Sequence, residues 1–275
     1  NRRAWSLKSS YMTTLLRTRV FSQEEQESIA KAAQDTSKPF TQIIEEKLLK
    51  HRGKSEKELY NEFNVDPDAK GRNSTLVRKI LGLSSGVDNT TEFKKANINI
   101  RAIRVNQNSL PEDDSPFKNY IFNELLNEKN WEESHIYTEI FSKKFMFVVF
   151  RKTAPETYVL DHIKFWGFPD SLEADLQKVW QETKDIINRG VELTVKPNGK
   201  GGVMVFTNFP KSRKNKILYT KIHSNQTYYE VEPGKFVGKG SLKDTDELPD
   251  GRRITKHSFW LPKKFVQQIL RGEWD

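Results

Sequence analysis

The sequence contains three Glu-x-Lys triplets, a spacing found in the active sites of Mg²⁺-dependent nucleases. On a strand, the Glu and the Lys of such a triplet share one face, where carboxylates hold Mg²⁺ and the Lys polarises the attacking water. Glu45-Glu46-Lys47 and Glu182-Thr183-Lys184 lie in segments with helical periodicity, so they indicate solvated helix faces. Glu92-Phe93-Lys94 stands near a predicted strand, but its upstream acid, Asp88, is too close for the usual geometry. The triplets leave Glu92 as the one candidate metal ligand.

The sequence lacks the patterns of several other catalytic classes. Its five histidines have no metal-ligand spacing and are interpreted as surface or hydrogen-bonded core residues. They are His51, His135, His162, His223 and His257. Gly199, Gly201 and Gly202 lack the strand-to-helix context of a phosphate loop, so they predict a turn. The absence of cysteine excludes thiol catalysis, disulfides and cysteine zinc sites, and favours a cytoplasmic location.

The charge distribution favours a polyanionic ligand. The chain of 275 residues carries 46 Lys and Arg against 37 Asp and Glu, a net charge of +9. No acidic residue lies between Glu192 and Glu230. A carboxylate beside a phosphate repels it, so this depletion favours nucleic acid, although ordinary strands with lysines on the solvent face are the alternative. The stretch carries Lys196, Lys200, Lys211, Arg213, Lys214, Lys216, Lys221, Phe206, Phe209, Tyr219, Tyr228 and Tyr229.

The first third of the chain is predicted to be mostly helical. Ser22-Gln23-Glu24-Glu25 and Ser55-Glu56-Lys57-Glu58 are typical of capping boxes that open helices. A further helix is expected after Pro39, and another over residues 74–81, ending at Gly82. The apolar face of the helix after Pro39 is predicted to consist of Ile43, Ile44, Leu48 and Leu49.

The rest of the chain is predicted to alternate between strands and helices. Residues 98–105 alternate apolar and polar with a slip at Ala102-Ile103, which predicts a strand with a bulge. Residues 144–152 and 157–166 are predicted to be neighbouring strands. Further elements are a helix capped by Asp170 or Ser171 with Leu172, Leu176, Val179 and Ile186 on one stripe, a hairpin of residues 191–196 and 203–207, and a last helix over residues 262–270. The fold class is α/β, with one mixed sheet flanked by helices and no membrane-spanning segment.

Four segments, in order along the chain, resemble one family. Residues 3–13 (RAWSLKSSYMT) resemble the segment that opens the C-terminal half of the Sau-type GATC restriction endonucleases, which are relatives of the mismatch-repair endonuclease MutH. Residues 131–135 (WEESH) and the apolar strand at 145–150 are similar to a MutH run in the same order. Residues 190–211, which end in Phe209-Pro210-Lys211, are similar to the MutH DNA-reading loop. Residues 258–265 (SFWLPKKF) resemble its closing aromatic segment and last helix.

The resemblance implies a restriction-endonuclease-like, MutH-like scaffold that has lost its metal site. The family's first acid falls on Glu92, its second acid on Asn99 and its lysine on Arg101. A further helix glutamate of the family falls on Arg78. An amide cannot supply a carboxylate, and two arginines repel Mg²⁺. We therefore expect no catalytic residue, metal or cofactor in this domain, with Mg²⁺ acting in a missing catalytic half.

The expected function is sequence-specific binding of double-stranded DNA, with GATC implied, by the non-catalytic effector domain of a type II restriction endonuclease. Residues 1–20 would form an arm from a missing N-terminal half, an expectation that fits a first residue other than Met. Residues 21–275 would form the MutH-like domain, with a helical lobe at about 21–85 and an α/β lobe at about 86–275. The expected protein partner is the N-terminal catalytic domain of the same protein. The alternatives are an active Mg²⁺-dependent endonuclease that uses Glu92 and a structural or RNA-binding basic module.

Phosphate contacts are expected from Arg213, Lys214 and Lys216, which form the densest cationic cluster in the acid-free stretch.

Base contacts are expected from Lys211 and Trp260. The resemblance places a groove-reading lysine at Lys211, and a lysine can donate to O6 and N7 of guanine. It places at Trp260 an aromatic ring near the target adenine, where an N6-methyl group would crowd it. The alternative is that Trp260 belongs to the core between the last strand and the last helix. Pro210 and Asn208 complete the expected DNA-binding set.

Overall fold

The computed structural model describes residues 39–83, 97–199 and 202–275. Its helices are α1 (Phe40–Leu49), α2 (Glu56–Glu62), α3 (Arg72–Leu81), α4 (Phe122–Asn127), α5 (Glu173–Arg189) and α6 (Lys263–Leu270). Its strands are β1 (Ile98–Val105), β2 (Ser115–Asn119), β3 (Lys144–Ala154), β4 (Thr157–Gly167), β5 (Leu193–Asn198), β6 (Gly202–Thr207), β7 (Tyr219–Ile222), β8 (Tyr228–Glu232), β9 (Lys235–Gly238), β10 (Thr245–Glu247), β11 (Arg253–Thr255) and β12 (His257–Leu261). Short 3₁₀ and π turns lie between α4 and β3. None of the helices described is long and apolar enough to cross a membrane.

The chain divides into two compact units. The first unit comprises Asn1–Leu110 and Lys143–Gly167, and the second comprises Pro111–Ser142 and Phe168–Asp275. The first unit therefore joins helices of the predicted helical lobe to three strands of the predicted α/β lobe. The predicted arm at residues 1–20, the helix after Ser22 and the lobe boundary near residue 85 lie outside the described residues.

A three-stranded mixed sheet organises the first unit. The central strand β3 pairs in parallel with β1 and antiparallel with β4. Side chains on one face, including Met146, Val148 and Phe150, form a buried cluster with the apolar sides of α1, α2 and α3. The strands at 98–105, 144–152 and 157–166 are confirmed. The bulge predicted at Ala102-Ile103 is wrong, because β1 pairs with β3 in unbroken register; the β-bulges lie between β3 and β4.

Local sequence signals set the ends of the helices in the first unit. The Ser55 hydroxyl accepts from the backbone N–H of Glu58, and the Glu58 carboxylate accepts from that of Ser55, so the predicted capping box is confirmed. Gly82, with φ of 76°, ends α3 as predicted. The predicted apolar face of α1 holds except at Leu49, which is exposed rather than buried.

The second unit contains several small sheets rather than part of one mixed sheet. Strands β2, β12 and β7 form an antiparallel sheet, and three two-stranded ribbons pair β5 with β6, β8 with β9, and β10 with β11. The prediction of a single central sheet is therefore wrong, although the mixed α/β class stands. The hairpin predicted on either side of residues 198–202 is confirmed as β5–β6.

The amphipathic helix α5 buries the predicted stripe, including Leu176, Val179 and Ile186. Its predicted side-chain cap at Asp170 or Ser171 is wrong, because those residues form a 3₁₀ turn ahead of the helix and Leu172 occupies the cap position without a side-chain bond. The last helix begins at Lys263, directly after Pro262.

Candidate nucleic-acid interface

The loop over residues 208–216 is held at its start by a buried aromatic residue. Phe209 is buried, stacks on Phe122 with ring centroids 5.9 Å apart, and packs edge-on against His257 at 5.0 Å. Burial lowers the pKa of His257 to about 4, so the ring beside Phe209 is neutral at pH 7. Leu218, also buried, fixes the far end of the loop. The loop therefore rises from two buried anchors.

Four cations project from this loop without an ion pair to any residue that the structure describes. Lys211, Arg213, Lys214 and Lys216 are all exposed. Within the part of the chain that the structure describes, none of the four has a carboxylate partner within 4.0 Å. We call these four residues the cationic loop. Unpaired ammonium and guanidinium groups keep their full charge available for phosphates.

Two other predicted members of the DNA-binding set have structural contacts. Pro210 is buried, and its carbonyl accepts a hydrogen bond from the backbone N–H of Thr220 at 2.9 Å. This backbone bond ties the loop to β7, and the contact of Pro210 with DNA stays a prediction. Asn208 is exposed, and its side-chain oxygen accepts from the backbone N–H of Glu192 at 3.1 Å.

Helix α5 adds to the surface that the loop forms. Lys214 and Lys216 line an open cavity of about 200 Å³ together with Asp175 and Lys178, which are exposed on the first turns of α5. The cavity thus gathers three lysines and one carboxylate. The sequence around the loop has no acidic residue, but the folded surface does, because α5 places Asp175 at the cavity.

Trp260 lies on a half-exposed aromatic and cationic patch rather than in the core. Its ring is half-buried, whereas Phe259 and Leu261 on either side are buried. The Lys221 Nζ lies 4.7 Å from the centroid of the Trp260 ring, and the His223 ring packs edge-on at 5.3 Å. The indole Nε1–H donates to the Lys221 carbonyl at 3.3 Å. The prediction that Trp260 is available to a ligand is compatible with this geometry.

Strand β7 connects the cationic loop to Trp260. Thr220, which holds Pro210, pairs with Phe259 across β7 and β12, and the neighbouring pair is Tyr219 with Trp260. The Tyr219 hydroxyl donates to Asp114 at 2.6 Å, and burial beside this carboxylate raises the pKa of Tyr219. Strand β7 therefore links two residues that are far apart in sequence: Lys211, in the loop bonded to β7, and Trp260, on the neighbouring strand β12.

Three of the positions that correspond to the family's metal site, Asn99, Arg101 and Arg78, lie within the described residues. Asn99 and Arg101 project from one face of β1, whereas Ile98 and Ile100 of the other face pack with the helices. Arg78 belongs to α3, and its guanidinium donates to the Leu83 carbonyl at 3.2 Å. Glu92 lies outside the described residues. Within residues 39–83, 97–199 and 202–275, no three His, Asp or Glu side chains are grouped so that they could hold a metal ion.

Sequence reasoning missed the residues that reach this surface from other elements. Lys178 lies more than 30 positions before the cationic loop, so nothing in the loop's own sequence indicates it. Lys221 is in the acid-free stretch, but only the pairing of β7 with β12 places it over Trp260. The exposed face of α5 carries Asp175 and Lys178 three positions apart, and that helical spacing was the one available signal.

No family model matches the chain. The chain is similar to the type II restriction enzyme Sau3AI of Staphylococcus aureus. The two are 26% identical over 287 aligned positions, which cover 97% of this chain and 58% of that enzyme. The chain thus spans less than two thirds of the length of this curated relative.

Proposed function

We propose that this chain binds double-stranded DNA in a sequence-specific manner as part of a type II restriction endonuclease. The observation that carries the proposal is the cationic loop, whose four exposed cations lack carboxylate partners among the described residues. Phosphate contacts supply most of the affinity of DNA-binding proteins, and they need cations that the fold has not already neutralised. The similarity to a restriction enzyme over nearly the whole chain supports the same conclusion.

We assign two tasks to the surface. Arg213, Lys214 and Lys216 would neutralise phosphates and fix the position of the duplex, and Asn208 would add a polar contact. Lys211, at the start of the loop, would donate to a guanine in the major groove. The target would be GATC, as the family resemblance implies.

Trp260 would report the methylation state of the target adenine. Its ring is partly open to solvent and is held in place by Lys221 and His223. A methyl group on adenine N6 adds bulk in the major groove, where a fixed ring has little room to move. Trp260→Ala should therefore narrow the affinity difference between methylated and unmethylated GATC duplexes, while the melting temperature stays near that of the unchanged protein. A core role for Trp260 would instead produce a large fall in melting temperature.

The role that we propose for the chain is regulatory rather than catalytic. Asn99 and Arg101 share a face of β1, and an amide next to a guanidinium does not suit a divalent cation. DNA bound to this MutH-like domain would act as an effector, or as a tether, for an N-terminal catalytic domain of the same protein. Mg²⁺ would act in that catalytic domain.

The test combines binding with cleavage. Binding isotherms on a GATC duplex and a scrambled duplex, at matched salt, should show a preference of roughly a thousandfold or more for GATC. Incubation with Mg²⁺ and a GATC plasmid should leave the plasmid supercoiled. Nicking that needs Mg²⁺ and disappears in Glu92→Ala would overturn the non-catalytic role, and equal affinity for both duplexes would overturn sequence specificity.

A further inference from the structure

The ribbon formed by β5 and β6 exposes apolar side chains to an unusual degree. Four of the seven exposed large hydrophobic residues within the described ranges lie on it. They are Val195 (42% exposed), Val203 (45%), Met204 (47%) and Phe206 (40%). A two-stranded ribbon gains little stability by itself, and clustered apolar exposure is typical of a binding surface.

One face of the ribbon combines an aromatic ring with cations. Antiparallel pairing sets Thr194 opposite Phe206 and Lys196 opposite Met204 on this face. The Lys196 Nζ lies 5.7 Å from the centroid of the Phe206 ring, and the Lys211 Nζ lies 5.8 Å from it. The same lysine that opens the cationic loop therefore flanks the ring. The ribbon face and the cationic loop form one continuous surface.

The charge on this surface selects a polyanion as its occupant. Neither β5 nor β6 contains an acidic residue. A second copy of the chain would bring lysines against lysines, so self-association through this face is disfavoured. The major groove of B-form DNA is wide enough to admit a two-stranded β-ribbon, and a phenylalanine there can contact the methyl group of thymine.

We infer that the β5–β6 ribbon enters the major groove of duplex DNA, with the Phe206 face toward the bases and Phe206 against a thymine methyl group. This inference rests on the proposed DNA-binding function and names the element that enters the groove. Lys196 and Lys211 contact the phosphates or guanine edges on either side of the ring. The opposite face, which carries Val195 and Val203, points away from the bases.

The test is a double-mutant cycle that combines a substitution in the protein with removal of the thymine methyl groups from the DNA. Affinity is measured by fluorescence anisotropy at several salt concentrations, for a GATC duplex and for the same duplex with deoxyuridine in place of every thymine. Loss of the thymine methyl should weaken binding by the unchanged chain about fourfold. Phe206→Ala should weaken binding to the thymine duplex about tenfold, leave the salt slope unchanged, and remove the sensitivity to deoxyuridine.

A matched variant on the opposite face controls for damage to the ribbon. Val203→Ala removes a side chain of similar exposure and should leave both affinities within twofold. Melting temperatures should not differ among the three proteins, since neither residue is buried.

The outcomes separate the inference from the function on which it rests. If the unchanged chain does not bind DNA, the proposed function fails. If it binds but Phe206→Ala behaves like the unchanged chain, or Val203→Ala is equally damaging, the groove-entry inference is overturned. The inference would also be overturned if light scattering showed that the unchanged chain is a dimer and that Phe206→Ala makes it a monomer. The Phe206 face would then be a contact between two copies.

Discussion

Two arginines of the first unit and the cationic loop of the second unit have opposite surroundings. In the first unit, Arg104 donates through Nε and Nη2 to the buried carboxylate of Glu56, at 3.0 and 2.6 Å, and this contact raises its pKa further. Arg151 donates to Asp161 at 2.6 Å and to the carbonyls of Asn106 and Gln107. In the second unit, the cationic loop has no such partners among the residues described.

Residue type alone therefore does not identify a binding surface. Arg104 and Arg151 donate to carboxylates of the fold, so their charge contributes to structure. Cations of the loop stay exposed, so their charge is available to a ligand. Substitutions in the two regions should therefore affect different measurements.

The largest effect is expected on stability when the buried pair of the first unit is broken. Glu56→Ala leaves the Arg104 guanidinium without its partner and removes an acceptor of the Asn73 amide, 2.7 Å away. The free energy of unfolding should fall by about 3–5 kcal/mol, measured by chemical denaturation. Glu62→Ala, which breaks the exposed pair with Lys54, should cost less than about 1 kcal/mol. Equal costs would show that burial does not distinguish the two pairs.

The second effect should appear in DNA affinity and spare stability. Changing Arg213, Lys214 and Lys216 together to Gln should lower the slope of log affinity against log salt by about three, since each phosphate contact contributes about 0.9. At 0.1 M salt the affinity should fall several-hundred-fold, about 3–4 kcal/mol, for specific and scrambled DNA alike.

The control for the triple variant changes Lys50, Lys57 and Lys129, which are also exposed, to Gln. It removes the same charge at positions that are not part of the cationic loop and should keep most of the slope. Similar slopes in the two triple variants would reduce the loop to a part of the general positive charge.

The third effect should appear in the pH dependence of stability, and it comes from His257, the buried histidine that packs against Phe209. The pKa of His257 is about 4 in the folded chain, against 6.5 as its ordinary value. Between these values the unfolded chain binds a proton that the folded chain excludes, so stability should fall as the pH drops from 6.5 to 4. The loss should be about 3 kcal/mol, and His257→Gln should lack this component in denaturation curves recorded from pH 7.5 to 4. An unchanged pH profile in the variant would contradict the assignment.

The smallest effect should be on specificity. Lys211→Ala should cost roughly 1–3 kcal/mol of binding free energy on a GATC duplex and little on a scrambled one. Lys211→Arg keeps a donor for guanine and should recover part of the preference. Equal losses on both duplexes would assign Lys211 to the phosphate-contacting group.

Local patterns predicted most elements, and long-range pairing accounts for what they did not predict. The alternation in β1, the Ser55 capping box and the β5–β6 hairpin all depend on neighbouring residues, and each is present. The division into several sheets depends on pairings such as β2 with β12, more than 130 positions apart, which no local period encodes.

The candidate site divides in the same way. Exposure of Lys211, Arg213, Lys214 and Lys216 agrees with the expectation from an acid-free stretch. The hydrogen bond from the Thr220 N–H to the Pro210 carbonyl depends on the position of β7, which the loop's own sequence does not reveal. The contribution of Lys178 likewise depends on how α5 packs beside the loop.

The parallel pairing of β1 with β3 has a consequence for the order of folding. Ile98 pairs with Lys144, and the intervening residues 111–142 belong to the second unit. During synthesis β1 leaves the ribosome well before its partner strand, so the sheet cannot close until a segment of the other unit has been made. Loop closure over such a separation slows folding, and the open edge of β1 is exposed to wrong partners during the wait. A cut between residues 110 and 111 would split the first unit into two pieces, so fragments expressed from such a boundary should aggregate.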